Sequence, residues 1–257
     1  MSKVTTRKLG QPTWVDLASD DPDAARAFYG SLLGWEFEVF GPEFGAYSMA
    51  RRGGADVAGI GPKPPGVVMP TAWNLYLGTS DVDATVASAL AHGGGVLGEA
   101  FEVPGTGRGA MLQDPAGAIV GLWQSRGMDG FAIAGEPGAF AWCEVWTSDN
   151  DVSRAFYRDV FGYEVHDMTD DGFVYATLRI DGDDVAGVGV LDPAWGPGVP
   201  PHWAVYFAVE DADAAVGQVA ALGGQAANEP TDTPYGRVAT VTDPQGAHFR
   251  VIAMREV

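Results

Sequence analysis

The chain has 257 residues, enough for two domains of ordinary size, and its apolar fraction of 46% is typical of a globular protein. Its formal net charge of −19 repels nucleic acid and anionic membrane surfaces, so neither is expected as a partner, and no apolar run is long enough to span a membrane. The single cysteine, Cys143, excludes an intramolecular disulfide and favours a cytoplasmic protein, and no apolar stretch follows the basic N-terminus, so no secretory signal is expected.

The first sixty residues predict one β-α-β-β-β unit. Apolar and polar residues alternate over Pro12–Ala18, which predicts a strand. A helix is expected from a cap at Asp20 or Asp21 to a stop at Gly34. Its apolar residues recur with helical spacing: Ala25, Phe28, Tyr29, Leu32 and Leu33. Three short strands complete the unit: Glu36–Phe40, Tyr47–Ala50 and Val57–Ile60.

A second unit of the same kind follows. It begins with a strand at Ala72–Leu77 and a helix over Val82–Ala91 that ends at Gly93–Gly95. Four short strands follow: Val96–Leu97, Phe101–Val103, Ala110–Gln113 and Ile119–Trp123. Asp114–Gly117, which reads Asp-Pro-Ala-Gly, suits a type I turn between the last two strands. The glycine-rich stretch 127–138 has no periodicity and is interpreted as a linker.

The second half of the chain repeats the first. Phe156-Tyr157 lies 156 − 28 = 128 residues after Phe28-Tyr29, and the Asp-Pro-Gln-Gly turn at Asp243 lies 243 − 114 = 129 residues after the turn at Asp114. The repeat divides the chain into a first module (1–126), the linker (127–138) and a second module (139–257). One β-α-β-β-β unit is too small to cover its own sheet, so the units are expected to pair around a concave surface.

These motifs resemble those of the vicinal oxygen chelate superfamily, which includes glyoxalase I, bleomycin-resistance proteins and extradiol dioxygenases. The resemblance rests on the Phe-Tyr…Leu-Gly-Trp and Phe-Tyr…Phe-Gly-Tyr helix ends, the Gly-Gly helix stops and both Asp-Pro-x-Gly-Ala turns, and it covers essentially the whole chain. It implies an α+β fold of two tandem modules, whose four βαβββ units form curved mixed sheets with helices on the outer face. It also implies sites between units, in a monomer or a homodimer.

Metal-using members of this superfamily take His, Glu or Gln ligands from the first, fourth, fifth and last strands. In this chain the first-strand position is occupied by Trp14 and Trp142, and the fourth strands offer Ala58–Ile60 and Ala186–Val188. The fifth-strand position is occupied by Asn74 and Ala204, and the last-strand position by Gly121 and Arg250. Tryptophan, alanine and glycine side chains donate no lone pair to a metal, and arginine is a cation. The sequence therefore predicts a protein without a metal or another cofactor.

A shift of two residues along the strands would keep the same sheet face and change this conclusion. It would bring Asp16 or Glu144 together with His202 and His248, and two histidines with one carboxylate are the ligands of non-haem iron oxygenases. That alternative is a metal-dependent glyoxalase-, dioxygenase- or hydroxylase-like enzyme. The other interpretation is that these residues are hydrogen-bonded or solvated polar groups without a metal.

Period-two alternation separates the two faces of the sheets. It places Val15, Leu17, Leu75, Leu77, Val120, Leu122, Phe249 and Val251 under the helices. The concave face then carries the candidate ligand-binding residues, to which His202 at a strand end is added: Trp14, Asp16, Asn74, Tyr76, Trp123, Trp142, Glu144, Trp146, Tyr206, His248 and Arg250.

Aromatic walls with a few polar groups suit a planar, mostly apolar small molecule. The leading hypothesis is metal-free binding of an aromatic or polyketide-like ligand between tryptophan-lined sheets, with sequestration or self-resistance as the role that bleomycin-binding relatives imply. Arg250 is either a partner for a ligand carboxylate or an ordinary ion-pair residue. The tryptophans are alternatively core residues, in a protein whose cavities are filled.

Overall fold

The computed structural model describes residues 8–170, 173–195 and 198–255, so the basic segment 1–7 lies outside the described residues. The first half contains β1 (Pro12–Ser19), α1 (Pro22–Leu33), β2 (Glu36–Val39), β3 (Ser48–Arg52), β4 (Ala55–Pro62), β5 (Ala72–Gly78), α2 (Val82–Ala91), β6 (Gly95–Val96), β7 (Phe101–Val103), β8 (Gly107–Gln113) and β9 (Ile119–Ser125). The second half contains β10 (Phe140–Thr147), α3 (Asn150–Phe161), β11 (Glu164–Asp167), β12 (Tyr175–Ile180), β13 (Asp183–Val190), β14 (His202–Ala208), α4 (Ala212–Ala221), β15 (Gln225–Ala226), β16 (Thr231–Thr233), β17 (Gly236–Thr242) and β18 (His248–Met254).

Within these residues, each half forms one mixed, curled sheet of nine strands. The strand order is β2-β3-β4-β1-β5-β9-β8-β6 in the first sheet, with β7 also paired to β8. The second sheet repeats this order as β11-β12-β13-β10-β14-β18-β17-β15, with β16 also paired to β17. The first strand of each unit runs parallel to the last, and the two units of a module join where β1 meets β5 and β10 meets β14 in antiparallel pairs. The predicted α+β fold of two tandem modules is confirmed.

Each long helix begins and ends as the sequence predicts. The Asp21 side chain accepts a hydrogen bond from the Ala24 amide (3.0 Å), and the chain leaves α1 through Gly34 at φ 68°. Asp149 and Gly162 do the same for α3. The apolar stripe of α1 is buried, as are all eight residues assigned to the helix-bearing face by alternation. Within the described ranges, no helix combines the length and the apolarity that a bilayer crossing requires.

The two modules meet through their helix-bearing faces and share an aromatic core. Trp73 of β5 lies 5.0 Å from Phe207 of β14 between ring centroids, and Trp35 lies 5.3 Å from the same ring. Tyr29 of α1 packs at 5.4 Å against Phe249 of β18. All five side chains are at most 7% exposed. Burial of so much aromatic surface between the modules holds them together, because it is the main favourable contribution to such an interface.

Two reciprocal hydrogen bonds connect the repeated motifs across this interface. The Tyr29 hydroxyl donates to Asp243 Oδ2 (3.1 Å), and the Tyr157 hydroxyl donates to Asp114 Oδ2 (3.2 Å). Each tyrosine oxygen also accepts a hydrogen bond from a buried indole, Trp73 Nε1 at 3.0 Å or Trp203 Nε1 at 2.9 Å. The predicted turn at each aspartate is present, but its carboxylate also binds the helix of the other module. The sequence pattern revealed the Phe-Tyr and Asp-Pro motifs, but it did not reveal that each tyrosine bonds the aspartate of the other module.

Candidate functional site

Five side chains on the concave face of the first sheet form one polar group, called here the first-face cluster: Trp14, Asp16, Tyr47, Asn74 and Tyr76. Asp16 of β1 lies opposite Asn74 of β5 and opposite Gly59 of β4. Its Oδ1 accepts a hydrogen bond from Asn74 Nδ2 (2.9 Å), and the hydroxyls of Tyr47 and Tyr76 also donate to the carboxylate. Trp14 Nε1 donates to the Tyr47 hydroxyl (2.9 Å) and so orients it. Asp16 is thus a half-buried carboxylate held by three neutral donors.

The environment of Asp16 makes it easier to protonate than an ordinary aspartate. Burial raises its pKa to about 6, although the hydrogen bonds from Asn74, Tyr76 and Tyr47 act in the opposite direction. Burial and the charge of Asp16 raise the pKa of Tyr47 and of Tyr76 well above the usual value, so both remain neutral donors. In the described part of the chain, no cation forms an ion pair with Asp16. At pH 7 the carboxylate is therefore mostly ionised, with no positive partner among the described residues.

Glycines on the neighbouring strands let both tyrosines lie flat across the sheet. A Cβ at Gly59 would lie 1.6 Å from the Tyr47 hydroxyl oxygen, and one at Gly121 would lie 2.2 Å from Tyr76 Cδ1. Met49 lies opposite Gly59 on the next strand, and Met111 lies opposite Gly121. Both methionines are partly exposed. The floor of this face is therefore flat, flexible at its margins and polar at its centre.

Replacing Gly59 with alanine is expected to displace Tyr47 from Asp16. The added methyl overlaps the tyrosine hydroxyl, which lowers the free energy of unfolding by about 1–3 kcal/mol. Loss of that hydrogen bond should also move the pKa of Asp16 further above 6, because the bond favours the ionised form. Urea unfolding and a carboxyl NMR titration measure the two effects.

Gly61→Ala is the matched control for this substitution. A Cβ there would lie 3.0 Å from Tyr47 Cδ2, on the ring and away from the hydroxyl. We expect the control to leave the pKa of Asp16 within a few tenths of its value in the unchanged protein. Equal effects of the two substitutions would contradict the role given to Gly59.

The second sheet carries an equivalent second-face cluster, composed of Trp142, Glu144, Trp146, Tyr175, Tyr206 and Arg250. Trp146 Nε1 donates to Glu144 Oε1 and the Tyr175 hydroxyl donates to Oε2, each at 2.9 Å. The hydroxyl of Tyr206 and Nη1 of Arg250 also donate to Oε1. Glu144 is only 4% exposed, so its charge is neutralised inside the protein.

Arg250 is an ion-pair residue in this structure. Its guanidinium carbon lies 5.0 Å from the Trp146 ring centroid, 5.2 Å from Tyr206 and 5.8 Å from the exposed Trp195. The aromatic rings and Glu144 together satisfy the cation. Of the two interpretations offered by the sequence, the structure therefore supports the internal ion pair.

The remaining candidate residues are dispersed. Trp123 packs beside Tyr76 at 6.5 Å, and its Nε1 donates to the Met128 carbonyl (2.9 Å). His202 holds the Pro200 carbonyl through Nδ1 (2.9 Å), and burial lowers its pKa. His248 is exposed at the start of β18. Neither histidine belongs to the first-face cluster.

The alternative metal set of Asp16 or Glu144 with His202 and His248 is wrong, since the described residues assemble neither version, and Glu144 is paired with Arg250. Asp16 lies in the first sheet and both histidines lie in the second, because each module closes its own sheet through β1–β5 or β10–β14. Among residues 8–170, 173–195 and 198–255, no group of three His, Cys, Asp or Glu side chains is arranged to hold a metal ion. The cross-strand neighbours of the two carboxylates include Gly59 and Gly187, which offer no side-chain ligand. The donor set does not fit the metal that the resemblance implies.

The idea of one cavity between tryptophan-lined sheets also needs correction. Each polar cluster belongs to a single sheet, and the modules meet through the opposite, helix-bearing faces. One space of about 320 Å³ opens between the modules, and it lies between α1 and α4. Its arginine, Arg52, bonds the carbonyl oxygens of Gly34 and Pro137. The concave faces, which carry both polar clusters, are therefore the candidate site.

Two tyrosines of the clusters, Tyr47 and Tyr175, were not among the candidate residues that the sequence indicated. Tyr47 precedes β3 and Tyr175 begins β12. Their separation is 175 − 47 = 128 residues, the same as that of the two Phe-Tyr pairs. This equal spacing could have identified them, because a tyrosine that recurs at the period of the repeat occupies the same position in both modules.

The chain is similar to known proteins over nearly its whole length. The family model of the glyoxalase/bleomycin resistance protein/dioxygenase superfamily matches residues 11–122 and 139–251. The chain is 44% identical over 259 residues to the putative glyoxylase CFP32 of Mycobacterium tuberculosis (strain CDC 1551 / Oshkosh), covering 98% of both. It is 37% identical over 261 residues to the anthracycline biosynthesis protein DauV of Streptomyces sp. (strain C5), covering 96% of this chain and 94% of the relative.

Solved structures show the same fold at low sequence identity. The Mn(II)-bound glyoxalase from Novosphingobium aromaticivorans has a TM-score of 0.66 at 19% identity, over 98% of this chain and 85% of its own. The 2,3-dioxygenase LapB from Pseudomonas sp. KL28 has a TM-score of 0.67 at 14% identity, over 96% and 93%. These likenesses concern the fold alone.

Proposed function

The chain belongs to the glyoxalase/bleomycin resistance protein/dioxygenase superfamily, and we propose that it binds a small planar molecule, aromatic or polyketide-like, without a metal ion. The observation that carries this proposal is the first-face cluster. It combines a carboxylate, an amide and two tyrosine hydroxyls on a floor that glycines keep flat. A mostly apolar surface with a few fixed polar groups is the usual form of a small-molecule site.

The first face is a better site than the second. In the second-face cluster, Arg250 and Glu144 satisfy each other, and Trp146 and Trp195 cover the pair. In the first, Asp16 and Asn74 remain partly exposed, as do Met49 and Met111 on the same sheet. A ligand on the first face therefore gains contacts without breaking a buried ion pair.

The ligand class and the biological role follow from the chemistry of this face and from the relatives. A relative named for anthracycline biosynthesis, 37% identical to this chain, supports an aromatic, polyketide-like ligand. We propose sequestration or self-resistance as the role, in the cytoplasm and as a monomer or homodimer. The metal-dependent alternative has no support in the donor set of the described residues. Asp16 lies in a different sheet from His202 and His248, and Glu144, which shares their sheet, pairs with Arg250.

Binding can be tested with 9-anthracenemethanol, a neutral planar probe whose absorption overlaps tryptophan emission. We expect saturable quenching of the protein's fluorescence at pH 7.5. Tyr47→Ala should weaken binding about fivefold to tenfold, because loss of one aromatic contact costs about 1–1.4 kcal/mol. The proposal fails if quenching does not saturate.

Tyr175→Ala is the matched control, because it removes the equivalent tyrosine from the second-face cluster. We expect it to leave the affinity within about twofold of that of the unchanged protein. Equal weakening by the two substitutions would place the ligand elsewhere and contradict the choice of the first face. Circular dichroism of both variants checks that the fold is retained.

A further inference from the structure

The two clusters are built on the same framework, so each can be compared with the other. The equivalent residues are Trp14 and Trp142, Asp16 and Glu144, Tyr47 and Tyr175, and Tyr76 and Tyr206. In both modules an indole donates to a tyrosine, and two tyrosines donate to one carboxylate. The main difference lies on the last strand, where Gly121 is opposite Tyr76 and Arg250 is opposite Tyr206.

That difference decides the charge of each cluster. Arg250 donates to Glu144 and lies over the rings of Trp146 and Tyr206, so the buried carboxylate has a cation beside it. The first cluster has no such group, since Gly121 has no side chain and the ring of Tyr76 lies against it. Among the described residues, the partners of Asp16 are the neutral side chains of Asn74, Tyr47 and Tyr76. A partly desolvated carboxylate with neutral partners attracts a cation.

We propose that the first-face cluster binds its aromatic ligand through a protonated amine, which takes beside Asp16 the role that Arg250 has beside Glu144. This inference rests on the ligand binding proposed above. Tyrosine and tryptophan rings next to one carboxylate are a recurring environment for ammonium groups, because the ring faces carry negative potential. The net charge of −19 adds a field that attracts cations.

An anionic ligand does not fit the same cluster. Asp16 would repel it, and the described residues place no cation against Asp16 to offset that repulsion. The amide of Asn74 already donates to Asp16, and the hydroxyls of Tyr47 and Tyr76 do the same. The polar centre of this face therefore selects for a positive charge.

Three probes of one shape test this inference at pH 7.5: 9-(aminomethyl)anthracene, 9-anthracenemethanol and anthracene-9-carboxylate. We expect the amine to bind about tenfold or more tightly than the alcohol, and the carboxylate to bind more weakly than both. Asp16→Asn should remove about tenfold of the amine affinity and leave the alcohol within about threefold. Asp56→Asn, which removes a negative charge that pairs with Arg51 outside the cluster, should change neither.

A pH series on the unchanged protein gives a second, independent measurement. Amine affinity should fall as the pH is lowered through about 6, because protonation of Asp16 removes its charge, while the affinity for the alcohol should stay level. The groups that face Asp16 do not titrate in this range. Trp14 of β1, Gly59 of β4 and Asn74 of β5 have no acid group, and Tyr47, which precedes β3, and Tyr76 of β5 stay neutral. Amine and alcohol affinities that are equal and independent of Asp16 would overturn the inference and leave ligand binding intact. Failure of all three probes to bind would overturn both.

Discussion

Replacing Arg250 with methionine is expected to lower the free energy of unfolding by about 3–5 kcal/mol, because it leaves the buried Glu144 carboxylate without its cation. Glu144 is 4% exposed, and the Arg250 side chain is 14% exposed, so water cannot solvate the remaining charge well. Methionine keeps most of the apolar stem and removes the guanidinium from the rings of Trp146 and Tyr206. Urea unfolding at pH 7.5, followed by tryptophan fluorescence, measures the change.

A double-mutant cycle separates the ion pair from the packing. Glu144→Gln combined with Arg250→Met removes both charges, and we expect this double variant to recover all but about 1–2 kcal/mol of the loss. With its carbonyl oxygen at the Oε1 position, the glutamine can still accept a hydrogen bond from Tyr206, and its amide group can donate to the Tyr175 hydroxyl oxygen. A loss below about 1 kcal/mol for Arg250→Met alone would show that the pair contributes little and that Glu144 finds another partner.

Replacing Tyr157 with phenylalanine should lower the free energy of unfolding by about 2–4 kcal/mol, because it leaves the buried Trp203 indole without an acceptor and leaves Ser153 as the remaining side-chain donor to Asp114 Oδ2 among the described residues. Trp203 Nε1 loses its acceptor, and Asp114 Oδ2 loses a donor that comes from the other module. Burial already raises the pKa of Asp114, and loss of the tyrosine hydrogen bond raises it further, since that bond favours the ionised carboxylate. A raised carboxyl pKa stabilises the folded protein at low pH, so the deficit should be smaller at pH 5 than at pH 8.

Tyr29→Phe is the symmetric counterpart of this variant and should have an effect of similar size, since Tyr29 holds Asp243 and Trp73 in the same way. Tyr235→Phe, at an exposed position, is the control and should change the free energy of unfolding by less than about 0.5 kcal/mol. If Tyr157→Phe behaves like the control, the contacts between the modules depend on the aromatic core and not on these hydrogen bonds.

The features that the sequence predicted well are local or repeated. The turn at Asp114, the helix over Val82–Ala91 and the buried alternation around Val15 depend on residues close together in the chain. The 128-residue repeat then extended these local patterns to the whole fold. Local chemistry and repetition were therefore enough for the architecture.

The site depends on contacts between distant residues, which a single sequence does not reveal. Glu144 and Arg250 are 106 residues apart, and Tyr29 and Asp243 are 214 apart. A register irregularity between Pro12 and Trp14 also decides which β1 side chain stands opposite which residue of β5. Counting along the strands could not determine whether Trp14 or Asp16 faces Asn74, and the hydrogen-bonded pairing determines that it is Asp16.

The exchanged tyrosine–aspartate contacts have the geometry of an isologous interface, in which each half gives the other what it receives. Two separate copies of one module could associate in this way, but their association would depend on concentration, and both copies would have to carry the same residue on the last strand. Covalent connection through residues 127–138 makes the association intramolecular, so that it persists at any dilution. It also allows the equivalent position on the last strand to be Gly121 in the first module and Arg250 in the second. The second module can then neutralise its carboxylate, Glu144, internally, while the equivalent Asp16 of the first module has no cation beside it among the described residues and can bind a positively charged ligand.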